Sequence, residues 1–467
     1  MKFVSYIYKR VYLYQYLATI TSSFSVLSLG INTAWTSPYL PQILNGTYPY
    51  IKMTSDEGSW LAVMPPLASP VGAIIGAHLV DGIGRKNTAL MMAPLTCIMF
   101  ISLAFAKTLL LLCIIRFVIG CVSPILYTVL PMYLGEIADP SIRGILIASV
   151  AFSSLVGSLF INVLGFYYSI FTSSLICATI PIIHFLTFVW MPESPYYFIK
   201  QNREEDARKA LITLRGTTDI EAELKTLSDV INAEKLENKE KFTDLFTVRS
   251  NRLGLFIFVV LNVTRKFSGS SPFLFYTATI FQTAGGSVNT NLSVIIFLCI
   301  QIASAMVSLN VLDYLGRRPV IITSSTACIL ALSITGTYFF LKDYKPEYIT
   351  NLGWLPLTIL TVYMVFYNLG LELSPIVYAG ELFPTNVKAK ALSFVDTISA
   401  LNGIITLKMF QILTDNYGMY LPFWVFGTCC TIGLILIVKY VPETKNKTLE
   451  EIHIELMRRS GESNSDK

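Results

Sequence analysis

Gly76-Ala77-His78-Leu79-Val80-Asp81-Gly82-Ile83-Gly84-Arg85-Lys86 closes one long apolar run. Asn310-Val311-Leu312-Asp313-Tyr314-Leu315-Gly316-Arg317-Arg318 closes another in the second half of the chain. Both place an acid, a turn glycine and two bases at the same end of an apolar run. Two more pairs keep similar spacing: Glu136 with Arg143-Gly144 is answered by Glu381 with Lys388, and Pro192-Glu193-Ser194 by Pro442-Glu443-Thr444. The chain therefore reads as two copies of one membrane half.

Composition agrees. Hydrophobic residues make up 53% and charged residues 14%, with a mean hydropathy of +0.59, which is too apolar for a soluble globule. A membrane span needs about 20 mostly apolar residues. Twelve such runs are predicted, at 14–38, 58–80, 88–106, 109–134, 145–168, 171–191, 253–281, 290–312, 319–341, 353–379, 391–413 and 419–441. The one long polar stretch divides them six and six. The expected fold is an all-α membrane protein with an N-terminal bundle over 1–191, a cytoplasmic helical linker over 192–252, a C-terminal bundle over 253–441 and a cytoplasmic tail over 442–467. In the linker, Glu204–Arg208 and Glu205–Lys209 pair at i,i+4, as on a solvated helix.

Bases set the orientation. Lys9, Arg10, Arg85, Lys86, Arg143, Arg317, Arg318, Lys388, Lys390, Lys445, Lys447 and the linker all fall on one side, so both termini are expected in the cytoplasm. The net charge of +5 follows from this asymmetry and gives no sign of a nucleic-acid partner. All eight cysteines lie inside predicted spans without metal-ligand spacing, so no metal and no cofactor are expected. The first apolar run is too long for a cleavable signal peptide and is expected to target the chain itself. Asn45-Gly46-Thr47 and Asn291-Leu292-Ser293 are glycosylation candidates in outward loops. Asn262, inside a span, and Asn446, on the cytoplasmic side, are not.

Duplicated membrane halves are the architecture of many secondary transporters. Further strings make the resemblance specific. They are Arg116-Phe117-Val118-Ile119-Gly120, Pro131-Met132-Tyr133-Leu134-Gly135-Glu136, Pro192-Glu193-Ser194-Pro195 and Val441-Pro442-Glu443-Thr444-Lys445-Asn446-Lys447-Thr448-Leu449-Glu450-Glu451-Ile452. From about Gly30 to Ile452 the chain resembles a sugar porter of the major facilitator superfamily. Trp35-Thr36-Ser37-Pro38 and Glu381-Leu382-Phe383-Pro384-Thr385-Asn386-Val387-Lys388-Ala389-Lys390 resemble the insect branch, which includes facilitated trehalose transporters. The resemblance implies twelve helices in two bundles, a central substrate site and a monomeric transport unit in the plasma membrane. The implied partners are a small polar solute, a hexose or trehalose, and membrane lipid.

The duplicated charges are expected to form an inner gate. Asp81, Arg85, Glu136, Arg143 and Glu193 belong to one half, and Asp313, Arg317, Glu381, Lys388 and Glu443 to the other. A single exposed pair contributes about 0–1 kcal/mol, so only a cooperative cluster could bias a two-state equilibrium. The alternative is charge that merely fixes orientation, but orientation needs bases only.

The substrate region departs from the family. Where relatives carry two glutamines and an asparagine on the seventh span, this chain has Arg265, Lys266 and Ser271. Ala151, Ile376 and Ser399-Ala400 stand where relatives carry Gln, Trp and Asn-Trp, while Gln301 is retained. Charge inside a span costs at least ~2.5–3.5 kcal/mol unless compensated, and Glu372 is the candidate partner. Asn32, Arg265, Lys266, Ser271, Gln301, Glu372 and Ser399 are thus the cavity candidates. Asn32 follows Gly30-Ile31 where proton-coupled relatives often have Asp, and an amide cannot carry a proton, which favours facilitated diffusion. Glu372 keeps proton coupling open, and Arg265 with Lys266 keeps an anionic organic solute open. A non-transporting sensor on the same scaffold is the third alternative. No Walker, GxSxG or HExxH pattern suggests an enzyme. Arg116 is expected to be structural, His184 to pack with one hydrogen bond, and Lys408 has no assigned role.

Overall fold

Backbone N–H and C=O groups in hydrocarbon must be satisfied within their own segment, and the apolar runs of this chain are accordingly helical. The computed structural model describes residues 12–48, 50–237, 244–286, 288–383, 385–445, 447 and 449–460, with the side chains of 232–237, 309, 310, 313, 385–390, 449, 450, 453 and 460 excepted. Twelve helices among the described residues are long and apolar enough to cross a membrane, and they fall six before and six after the polar linker, as expected. Two compact units result. The first comprises residues 1–53 and 64–238, the second residues 54–63 and 239–467.

In the first unit the elements are α1 (Leu13–Ala34), α2 (Thr36–Leu44), α3 (Ser55–Ile83), α4 (Arg85–Ala104), α5 (Leu109–Ile137), α6 (Arg143–Tyr167) and α7 (Ile170–Phe188). The linker adds α8 (Pro195–Lys200), α9 (Glu204–Arg215) and α10 (Glu221–Glu237). Local chemistry places the ends. Thr108 and Ser169 accept from Leu111 and Thr172 N–H at the starts of α5 and α7, satisfying donors a helix leaves orphaned. Thr54 and Glu57 form a reciprocal capping box before α3. Gly30 and Gly157 let α1 and α6 touch: a Cβ on Gly30 would lie 1.9 Å from Ser154 O, and one on Gly157 2.2 Å from Leu27 O. Val122, Leu126, Val129 and Tyr133 of α5 lie in the apolar core of this unit.

The linker helices dock on this unit. Arg215 donates to Ile137 O at 2.8 Å and pairs with Glu223 at 2.6 Å. Gln15 Nε2 donates to Leu214 O at 3.2 Å. Ala207, Leu211, Ile220 and Leu224 bury a small apolar core of their own.

The second unit comprises the opening turns of α3, α11 (Asp244–Thr247), α12 (Arg249–Arg265), α13 (Ser271–Phe275), α14 (Thr277–Ala284), α15 (Thr290–Leu315) and α16 (Arg317–Tyr344). It continues with α17 (Leu355–Phe366), α18 (Ser374–Leu382), α19 (Thr385–Tyr417), α20 (Tyr420–Tyr440) and α21 (Leu449–Ser460). Its seventh and tenth spans are not regular. Each contains a π-turn, Lys266–Ser270 after α12 and Tyr367–Leu371 after α17, a feature concentrated at functional sites. The seventh span was expected as one run over 253–281; the structure breaks it at Gly269, whose φ is +93°, and again at Tyr276 before α14. Many large apolar side chains stay exposed along the spans, including Leu110, Ile74 and Leu186, as suits a protein whose solvent is hydrocarbon.

Candidate functional site

The duplicated motif builds the same turn twice. Gly84 and Gly316 have φ values of +96° and +95°, a region glycine enters without steric cost. Each glycine ends one span and starts the next. In the first unit Glu193 accepts from the N–H groups of Arg85 at 3.1 Å and Lys86 at 3.0 Å. In the second unit Glu443 accepts from those of Arg317 at 3.1 Å and Arg318 at 3.0 Å. Each carboxylate thus satisfies orphan donors at a helix start and sits at the positive end of its dipole.

The arginine of each turn then reaches a glutamate from another span of its own unit. Arg85 binds Glu136 in a fork, Nε to Oε2 at 3.0 Å and Nη2 to Oε1 at 2.9 Å, and Ser194 Oγ donates to Glu136 as well. Arg85 is fully buried and its guanidinium lies 5.7 Å from the centres of the Tyr196 and Tyr197 rings. Arg317 meets Glu381 at 3.3 Å. Asp81 pairs with Lys200 of the linker at 2.7 Å. These ion pairs hold each unit's own turn together. Arg143 is exposed and its charge acts on Asp139. The side chains of Asp313 and Lys388 lie outside the described residues.

The cavity candidates separate by unit. In the first, Asn32 is buried on α1; its backbone oxygen and Oδ1 each accept from Arg116 Nη1 at 2.5 Å, and its Nδ2 donates to Ser123 Oγ at 3.2 Å. Arg116 lies over the Trp35 ring at 5.3 Å. Among the described residues, its Nε and Nη2 have no hydrogen-bond partner. His184 is buried, its Nδ1 lies 2.8 Å from Thr21 O, and its ring stacks on Phe188.

In the second unit the two π-turns meet through charge. Arg265 Nε lies 3.1 Å from Glu372 Oε2, and Tyr367 donates to the same oxygen at 2.5 Å. Tyr367 stacks on Tyr363, whose hydroxyl donates to Ser268 O at 2.9 Å. Asp396 of α19 acts on both Arg265 and Lys266, and Lys266 also feels Glu372. Two cations and two carboxylates are therefore gathered in one cluster. Nearby on the same span, Ser271 is buried, and its hydroxyl is 3.7 Å from where a Cβ on Gly403 would lie. Gln301 is buried; its carbonyl accepts from Asn368 Nδ2 at 3.3 Å, while its Oε1 has no partner among the described residues. Ser399 is half-buried on α19.

Sequence reasoning found Arg265 with Glu372 but missed Tyr367 and Asp396. Asp396 was detectable as an acid inside an apolar run; Tyr367 carried no such signal. Among the sequons, Asn45 is exposed just after α2, and Asn291 is exposed in the first turn of α15 rather than in a loop. Asn262 is buried and bonded to Phe258 O. Asn446 lies outside the described residues.

Two units of six spans, the same charged turn built into each, and a polar cluster between broken helices define a secondary transporter, not an enzyme. Residues 17–456 match the family described as sugar (and other) transporter, and the chain belongs to it. It is 34% identical over 447 residues to a facilitated trehalose transporter Tret1-2 homolog of Drosophila sechellia, covering 95% of this chain and 91% of that protein. Identity is also 34% to the facilitated trehalose transporter Tret1-1 of Drosophila simulans, over 95% of this chain but 52% of the longer relative. Among solved structures, the inward-open xylose transporter XylE from E. coli superimposes with a TM-score of 0.76 at 18% identity, over 94% of this chain and 99% of that one. This last likeness speaks to the fold alone, the major facilitator fold.

Proposed function

We propose that the chain moves a neutral sugar, trehalose or a hexose, across the plasma membrane by facilitated diffusion, as a monomer with both termini in the cytoplasm and glycans on Asn45 and Asn291. The names of its relatives support the sugar. The observation that carries the reading is the charge balance beside the π-turns. Glu372 pairs with Arg265, and the charges of Glu372 and Asp396 act on Lys266, so the cluster offers no surplus positive charge to recruit an anion.

Two further features fit. Asn32 sits against Arg116 where a carboxylate would be needed to carry a proton, and an amide only donates and accepts. Gln301, Ser271 and Ser399 supply amide and hydroxyl groups in the manner sugar hydroxyls require. The paired turns at Gly84 and Gly316 are the rigid inner corners of the two units. Their ion pairs keep each corner intact through the cycle, and the remaining bases, Arg143 and Lys388, complete the inner charge set.

The test is uptake by purified protein in proteoliposomes across a panel of neutral sugars and organic anions. Saturable uptake of trehalose or glucose, with none of sugar acids, is expected. Uptake restricted to anions would overturn the assignment. A correctly folded protein that moves neither would favour a sensor.

A further inference from the structure

Lys408 has no part in the charged turns or in the polar cluster, yet it is the centre of a third constellation. Lys408, Gln411 and Asp415 recur at i, i+3 and i+7 and so share one face of α19. All three reach the opening turns of α3. Lys408 Nζ lies 2.8 Å from Asp56 Oδ1 and 2.6 Å from Ser59 Oγ, and sits 4.2 Å from the centre of the Trp60 ring. Ser59 Oγ donates to Gln411 Oε1 at 3.1 Å, and Ser55 Oγ to Asp415 Oδ1 at 3.0 Å. Gln411 Nε2 in turn donates to Asp415 Oδ2 at 2.5 Å.

The division of α3 gives these contacts a purpose. Its residues 54–63 group with the second unit, while the helix from residue 64 onward belongs to the first. Pro65 and Pro66 follow that boundary directly, with Pro70 one turn further. Each proline lacks an N–H, so the carbonyls of Leu61 and Ala62 lose their ladder donors, and a helix bends most easily there. A segment tied to one unit by side chains, and joined to the other through a proline hinge, is suited to reversible release. The energetics suit release as well. The Lys408 side chain is 16% exposed but that of Asp56 is 64% exposed, so water can replace the carboxylate's partner when the pair opens. A fully buried pair would be too costly to break in each cycle.

We propose that Lys408 closes a latch that holds the opening turns of α3 on α19, and that its release at the Pro65-Pro66 hinge is a step of the transport cycle. The second clause rests on the transport reading above; the latch itself does not. The end of α3 concerned is opposite the Gly84 turn, so in the proposed orientation the latch lies on the outer side.

The test uses the full chain carrying Leu61→Cys. Leu61 is fully buried within the latched segment, so a membrane-impermeant maleimide should reach it only on release, with the parent chain giving the background of the native cysteines. Lys408→Gln and Asp56→Asn should each raise the labelling rate roughly fivefold. Combining Lys408→Asp with Asp56→Lys should return it toward the parent rate. Asp56 is exposed, so Asp56→Asn provides a readout even where Lys408→Gln fails to fold. Unchanged labelling in Asp56→Asn, or a rise that the exchanged pair does not reverse, would overturn the latch. Labelling needs no substrate. Normal sugar uptake with unaltered labelling therefore sinks the latch alone, whereas the expected labelling without any solute uptake sinks the transport reading.

Discussion

The turn at Gly84 and the turn at Gly316 have the same backbone and the same carboxylate cap, but they are not equally tight. Arg85 is fully buried and held by both oxygens of Glu136, whereas Arg317 is 17% exposed on its side chain and meets Glu381 at 3.3 Å. Backbone geometry is therefore shared by the two halves, while the side-chain lock differs. The same sequence signs produced both, so the difference must come from surroundings. In the first unit, Ser194 and the Tyr196 and Tyr197 rings close over the pair. The contrast is a difference in cost, since the more deeply buried and more closely bonded an ion pair is, the more destabilising it is to break.

The largest expected effect follows directly. Glu136→Gln leaves the buried Arg85 charge with no carboxylate and should lower stability by ~3–5 kcal/mol. Glu381→Gln should cost less, because its pair with Arg317 is a longer contact at 3.3 Å between side chains 17% and 22% exposed. Thermal unfolding of the two variants in the same detergent checks the ranking. Equal losses would mean the two turns are equivalent after all.

Glycine replacement should reproduce the asymmetry at smaller size. Gly84→Ala forces a positive φ with an extended ψ on alanine, at roughly 1–3 kcal/mol, and sets a Cβ 2.4 Å from Glu193 Oε2. Gly316→Ala carries the same backbone strain, but its Cβ would stand 3.2 Å from Glu443 Oε2. The Gly84 variant should unfold at the lower temperature. The reverse order would show that the second turn is the stiffer.

A third comparison sets the polar interior of the second unit against that of the first. Arg265 has a carboxylate; among the described residues Arg116 has the oxygens of Asn32 and the Trp35 ring. Glu372→Gln should therefore harm uptake more than Glu372→Gln combined with Arg265→Gln, with a coupling of ~1–2 kcal/mol in a double-mutant cycle. Replacing both Arg265 and Lys266 with Gln, which would restore the family pattern, should instead be harmful, because Glu372 and Asp396 would lose their cations. Additivity of the Glu372 and Arg265 changes would deny the pairing.

The smallest effect is on pH dependence. Burial raises the Asp139 pKa, but hydrogen bonds from Ser141 and the charges of Arg215 and Arg143 outweigh it, so the carboxyl ends below its ordinary value. Glu455 behaves alike: burial is outweighed by Lys447 and Arg459. A depressed folded pKa gives stability that is present above the unfolded value and is lost as pH falls through the folded one. Asp139→Asn and Glu455→Gln should each lower stability slightly at neutral pH, where the depressed carboxyls contribute, and flatten the acid side of the stability profile below the ordinary carboxylate range. Thermal scans across that range detect this, and a flattening on the alkaline side would contradict the sign.

The fold was legible because hydrocarbon imposes one rule on every span, and because Asp81-Gly84-Arg85 and its repeat announce the duplication. The pairing of Arg265 with Glu372 was legible for a related reason: charge in a span demands a partner. What could not be read was which partner each gate charge takes. Glu136 and Arg85 are far apart in sequence, and only packing decides that they meet within one unit. The π-turns were equally hidden, since Lys266–Ser270 has no local sequence that forbids a regular helix. Lys408 stayed without a role because its partners lie on the second span, where Asp56 and Ser59 look like ordinary cap residues.

The central claim is downhill carriage of a neutral sugar, and the steady-state distribution of radiolabelled trehalose or glucose tests it most directly. Vesicles containing the purified protein are given an inwardly directed proton gradient and followed until uptake stops. The account predicts equal internal and external concentrations of the transported sugar, with or without the gradient, since Asn32 carries no proton and Glu372 is held by Arg265 and Tyr367. Accumulation above the external concentration that collapses with a protonophore would contradict it.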